Sequence, residues 1–104
     1  MRATLVAITV AVSLVGTRAP AASRSTIAIE HFKYAPATLT VRPGTTVTWV
    51  NHDEEPHTVT SATGAFASSG LVNEDSFAQT FTRRGTYQYF CALHPHMKAT
   101  VVVR

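Results

Sequence analysis

The 104-residue chain reads as an all-β sandwich, and three observations carry that reading. Apolar and polar residues alternate with a period of two in run after run. Turn formers such as Pro43-Gly44 and Arg83-Arg84-Gly85 separate those runs at short intervals. Beyond the N-terminal segment, nothing has the 3.6-residue periodicity of an amphipathic helix.

The elements follow in order. Thr26-Ile27-Ala28-Ile29-Glu30 alternates as a strand does, and Phe32-Lys33-Tyr34-Ala35-Pro36 reads as a connection with aromatic anchors. Thr38 to Arg42 alternates again before the Pro43-Gly44 turn. Thr45 to Asn51 is strongly β-prone, with Val47 and Trp49 on one face. His57 to Thr60 is expected as a short strand after Pro56. Ser61 to Asp75 is small and polar and reads as loop, with Phe66 and Leu71 as core plugs. Ser76 to Thr82 is a strand with Phe77 and Phe81 on one face. Thr86 to Cys91 carries Tyr87, Tyr89 and Cys91 on one face, and Lys98 to Arg104 is the last strand. An immunoglobulin-type sandwich would want a second cysteine to pair across the sheets, and the chain has one.

Residues 1–22 read as a secretory signal peptide: Arg2 supplies positive charge, residues 3–16 are almost wholly apolar, and Ala19-Pro20-Ala21-Ala22 offers small residues for cleavage. The apolar run is too short for an ordinary membrane span, so no span is expected in the mature chain; an uncleaved anchor is the alternative. Residues 23–104 then form one domain of about 80 residues, a size at which a metal or a disulfide often supplements a thin core. With a single cysteine no internal disulfide forms, and metal ligation would protect a lone thiolate in an oxidising compartment. The formal charge of +3 overstates the basicity: without Arg2 and Arg18, seven basic residues face six acidic ones, a net of +1. No basic stripe supports nucleic-acid binding.

The chemistry concentrates in Cys91-Ala92-Leu93-His94-Pro95-His96-Met97, which places a thiolate, an imidazole and a thioether within one short loop. A second imidazole, His57, lies upstream. Two His, a Cys and a Met make the donor set of a blue-copper centre. Strand directions bring these residues together. The turns at 43–44 and 83–85 belong at one end of the sandwich, so the strands leaving them run to the other end. His57 starts the next strand there, and Met97 precedes the last. Each residue alone has an ordinary reading as a buried hydrophobe, a solvated histidine or core filler; their convergence favours a metal site. His94 sits two residues after Cys91 and two before Met97, a tight turn onto one ion. His96 would put a ligand beside Met97 and is expected to be exposed next to the site. His52 lies earlier in a charged loop, and His31 is given no role. Zinc would accept the Cys and His donors but gains little from a thioether, whereas a weak axial Met is typical of blue copper.

Residues 26–104 resemble the plastocyanin/amicyanin-like cupredoxins in Phe32-Lys33-Tyr34-Ala35-Pro36, Val47-Thr48-Trp49, Asn51, Pro56-His57, Gly85-Thr86-Tyr87 and the loop Cys91-x-x-His94-Pro95-x-Met97. The short form of that loop is similar to amicyanin more than plastocyanin. The resemblance implies a Greek-key β-sandwich, one type 1 copper ion and one-electron shuttling in an extracytoplasmic space, periplasmic or secreted. It implies His57, Cys91 and His94 as the strong ligands and Met97 as the axial one. It also implies that Asn51 ties the two ligand loops by hydrogen bonds, although Ala92 removes the hydroxyl that often follows the Cys. Partners would be protein redox partners of the cytochrome or dehydrogenase/oxidase type, docking near Pro36 and Pro95, and the carrier would be a monomer. Copper carriage or storage without a redox role is the alternative. A copper enzyme would want His beside the Cys, where Phe90 and Ala92 stand.

Overall fold

The computed structural model describes residues 23–104 and, before them, only Ala3, Thr4 and Ala7. The signal peptide expected over 1–22 therefore lies outside the described residues. Eight strands form, with no helix among the described residues: β1 (Arg24–Glu30), β2 (Lys33–Ala35), β3 (Thr38–Val41), β4 (Thr45–Asn51), β5 (Thr60–Ser61), β6 (Ser76–Phe81), β7 (Gly85–Phe90) and β8 (Lys98–Val103). They make two four-stranded sheets, ordered β2-β1-β4-β6 and β3-β8-β7-β5. This is the all-β, Greek-key sandwich that the alternation and the family resemblance lead one to expect.

Two parallel pairings set the directions. β1 runs beside β4 with Arg24 opposite Thr46 and Ile29 opposite Asn51. β3 runs beside β8 with Thr38 opposite Thr100 and Val41 opposite Val103. The remaining neighbours are antiparallel. Period-two alternation then turns one face of each sheet inward. Ile27, Ile29, Val47, Trp49, Tyr89, Val101 and Val103 are buried between the sheets, and the loop residues Phe66 and Leu71 plug the core as expected. Trp49 is the hub: the rings of Phe66, Phe77, Phe81 and Tyr89 surround it at centroid distances from 5.4 to 6.3 Å.

Two local expectations change. Part of the 32–36 connection is strand β2, folded back on β1 through a two-residue turn at His31-Phe32. Both turn residues have positive φ, 55° and 57°. Hairpin turns of this hand usually announce themselves with Asn-Gly or Asp-Gly, and His-Phe gives no such signal. The strand expected over 57–60 is also broken. His57 makes an isolated bridge to Leu71, and β5 is confined to Thr60–Ser61. The amides between them are spent on side chains: Thr58 N–H donates to Cys91 Sγ and Val59 N–H to Ser68 Oγ.

Backbone hydrogen bonds close the end of the sandwich that holds the 43–44 and 83–85 turns. Gly44 N–H donates to the Phe81 carbonyl (2.6 Å), Thr46 N–H to Ser23 O (3.0 Å), and Arg104 N–H to Val41 O (3.0 Å). The other end gathers the segments after Glu30, Asn51 and Phe90 and those before Ser76 and Lys98.

Replacing Trp49 by Ala removes the ring that four aromatic neighbours share, a loss of about 3–5 kcal/mol. A domain of this size has roughly 4–12 kcal/mol in all. The urea midpoint of the metal-free protein is expected to fall by about 1.5–3 M, at m values of about 1.5–2 kcal/mol/M. An unchanged midpoint would contradict this placement of the core.

Candidate metal centre

At that second end, His57, Cys91 and His94 converge, with one donor atom from each lying within 4.8 Å of the others. Cys91 follows directly from β7, His57 forms the bridge to Leu71, and His94 sits in the loop between β7 and β8. Cys91 Sγ is 3.8 Å from Nδ1 of His57 and 3.7 Å from Nδ1 of His94. Such distances leave room for one ion bonded at about 2.3 Å to sulfur and about 2.0 Å to nitrogen. A thiolate with two imidazoles is a donor set that holds copper or zinc. His57 and Cys91 are wholly buried, and His94 is half-buried.

Met97 is buried and closes the loop. Its amide donates to His94 O (2.9 Å), and its carbonyl accepts from Cys91 N–H (3.1 Å). His94 N–H in turn donates to Cys91 O (3.2 Å), so the loop is a tight, internally bonded turn. The other histidines stay out of the cluster. His96 is exposed, its ring 6.4 Å from that of His94. His52 pairs with Glu74 at 3.2 Å, and the His31 ring is solvated.

Each donor is held by a named neighbour. His57 Nε2 lies 2.8 Å from Asp53 Oδ2, and this hydrogen bond leaves the Nδ1 lone pair facing the thiol. Asp53 also accepts the amides of His31 (2.8 Å) and Phe32 (2.9 Å), the two residues held at positive φ. One carboxylate therefore orients a buried imidazole and offsets the strain of the turn, roughly 1–2 kcal/mol for each such residue. Burial pushes the Asp53 carboxyl up, but bonds from the Phe32 amide, His57 and the His31 amide outweigh it and hold the group below the ordinary carboxylate range. The Phe32 ring stands edge-on to both imidazoles, 5.0 Å from His57 and 5.1 Å from His94, and covers the gap between them.

Cys91 is tied by Thr58. The Thr58 amide donates to Sγ (3.3 Å), and Thr58 Oγ1 accepts from Ala92 N–H (2.7 Å). Beneath them Tyr34 donates its hydroxyl to the Thr58 carbonyl, and burial pushes the Tyr34 phenol far above its usual range. This corrects the role expected of Asn51. Its side chain bonds Glu55 O, Leu71 O and Asp53 N–H, so it shapes the loop before His57 and does not reach the cysteine loop. The tie between the segments of His57 and Cys91 comes from Thr58, one residue after His57. Neither Asp53 nor Thr58 stood out in the sequence; a carboxylate four residues before a candidate histidine was the available signal for Asp53.

Comparison with known proteins agrees with this geometry. Residues 3–103 match the Cupredoxin-like domain family. The chain belongs to that family. It is 37% identical over 82 residues to an amicyanin of Paracoccus versutus, a match covering 74% of this cupredoxin-like chain and 62% of the amicyanin. The chain thus spans about three fifths of that relative's length. A plastocyanin of Scenedesmus fuscus is 35% identical over 85 residues, covering 68% of this chain and 86% of the plastocyanin. Among solved structures, an amicyanin variant in its reduced Cu(I) form at pH 4 superposes with a TM-score of 0.75 at 34% identity, over 81% of this chain and 85% of that one.

Replacing Asp53 by Asn removes the charged acceptor and is expected to weaken copper binding by about 10–100-fold. The carboxyl is depressed on folding, so its contribution to stability is full above the ordinary carboxylate range, near pH 4, and disappears as pH falls through its lower folded value. The melting temperatures of metal-free wild type and Asp53→Asn should therefore differ at neutral pH and converge in acid. A gap of the same size at every pH would refute this account.

Proposed function

We propose that this protein is a type 1 copper protein that carries single electrons between extracytoplasmic redox partners. His57, Cys91 and His94 would hold the ion and Met97 would be its weak axial ligand. The observation that carries the reading is the convergence of a thiol and two imidazole Nδ1 atoms in a chain of the cupredoxin-like family.

Copper bound there supplies one-electron exchange. The protein supplies restraint. Asp53 fixes the tautomer and orientation of His57, and Thr58 fixes the sulfur through its amide. Thiolate and thioether suit Cu(I), while imidazoles serve both oxidation states. Donors that are locked by their neighbours move little when the charge changes. Phe32 shields the buried imidazole from solvent, leaving His94 as the half-buried ligand that leads toward the surface. Around it Leu93, Pro95 and Phe32 are exposed and apolar, which suits brief docking of a redox partner of the cytochrome or dehydrogenase/oxidase type.

Export is supported by the basic, apolar, small-residue order of residues 1–22 and by the pairing of a lone cysteine with a metal. Among the described residues, no helix is long and apolar enough to cross a membrane. Copper carriage or storage is the second reading. The burial of His57 and Cys91 favours a tightly held ion over an exchangeable one. Reduction potential and metal exchange rate separate the two.

The protein with Cu(II) is expected to give an intense absorption band in the red part of the spectrum, and Cys91→Ser should abolish it. A weak spectrum, indifferent to that substitution, would overturn the assignment. The rate of electron exchange with a cationic redox protein should fall steeply from low to physiological ionic strength, because Glu54 and Glu55 are exposed at this end. A flat profile would remove electrostatic steering from the mechanism.

A further inference from the structure

Strand direction sorts the charges of the domain into two poles. All six carboxylate residues, Glu30, Asp53, Glu54, Glu55, Glu74 and Asp75, lie at the metal end, because each sits at or beyond a strand end that reaches it. The five arginines that follow Ser23 lie at the other end. Arg24 opens β1, Arg42 follows β3, Arg83 and Arg84 precede β7, and Arg104 follows β8. Backbone bonds tie those segments together: Thr46 N–H to Ser23 O, Gly44 N–H to Phe81 O, and Arg104 N–H to Val41 O. All five arginines are exposed, and among the described residues none is in an ion pair. The poles are about 20 Å apart, the length of a six- to seven-residue strand.

We infer that the arginine pole is a docking face for an anionic lipid surface. Two features select that occupant. No acidic side chain lies at this pole to repel a negative surface. Its arginines come from four separate segments of one blunt end, which suits a broad planar partner more than a narrow groove ligand. Clusters of four to eight basic residues bind anionic leaflets, with about 1 kcal/mol from each, or about fivefold in affinity. Docked this way, the domain would turn its metal end away from the lipid and leave it free for soluble partners. The inference rests on charge placement and strand direction, and holds whichever metal the other pole carries.

The test is co-sedimentation of the full, copper-loaded chain with phosphatidylcholine vesicles, made with and without phosphatidylglycerol. Binding is expected only to the anionic vesicles and should be lost as salt is raised. Arg83→Gln with Arg84→Gln should weaken it by about 25-fold. Lys33→Gln with Lys98→Gln changes the net charge equally but at the metal end, and should weaken it less than twofold. Arg42→Gln with Arg104→Gln, on other segments, serves if the first pair melts early, with the same expected loss. Equal losses from the arginine and lysine pairs would overturn the inference, as would no binding to either vesicle. Salt-insensitive binding to pure phosphatidylcholine would assign the contact to the apolar residues 3–16 instead.

Discussion

A wholly buried imidazole must have both of its nitrogens satisfied, and His57 meets that demand in a way that shapes everything around it. One nitrogen faces the cysteine sulfur. The other bonds the Asp53 carboxylate, which is already committed to the amides of His31 and Phe32. A change in the orientation of His57 would therefore pull on the β1–β2 hairpin and on the Phe32 ring that covers the site. Asn51 supports the same arrangement from behind by bonding the Asp53 amide and two carbonyls. Charged acceptors in such settings form stronger bonds than neutral ones, so the arrangement resists loosening.

The cysteine is held on different terms. Its partner is the Thr58 amide, one of the backbone donors freed when the expected 57–60 strand breaks into a bridge and a two-residue β5. The irregularity has a use. Continued pairing of this segment with β7 would have consumed the Thr58 amide in the ladder and left the sulfur without that donor, whereas the Val59 amide points the other way, to Ser68. Local departure from regular strand is thus what lets the two ligand segments meet through Thr58.

What the sequence made legible follows from the same division. Alternation located most of the strands, because side chains in a sandwich must alternate between core and solvent. Trp49 was readable as core for that reason, and Phe66 and Leu71 as large apolar residues in an otherwise small and polar loop, while the gathering of His57, Cys91, His94 and Met97 at one end followed from strand direction alone. Asp53 and Thr58 were not readable. A carboxylate in Asp53-Glu54-Glu55 looks like solvated charge until the fold shows that only its first member bends inward. Hydrogen bonds from a side chain to a distant backbone leave no period in the sequence. The His31-Phe32 turn was hidden too, since its stability comes from Asp53, far along the chain, and not from turn-forming residues of its own.

The small net charge of residues 23–104 conceals a strongly polar molecule. A balance of +1 would normally argue against electrostatic function, yet the sum is uninformative when strand direction separates its terms. The acidic loops all connect strands at the metal end, where Asp53 is structural and Glu54, Glu55 and Glu74 remain exposed. The arginines sit on turns and chain ends at the opposite pole, where backbone bonds satisfy the main chain and leave the guanidinium groups free. Such a separation costs little in stability, because like charges on exposed loops are screened within about 8–10 Å at ordinary salt. It does orient the domain in any field or against any charged surface, since opposite poles respond in opposite senses. The β-sandwich between them holds the metal end and the arginine end apart by the length of its strands.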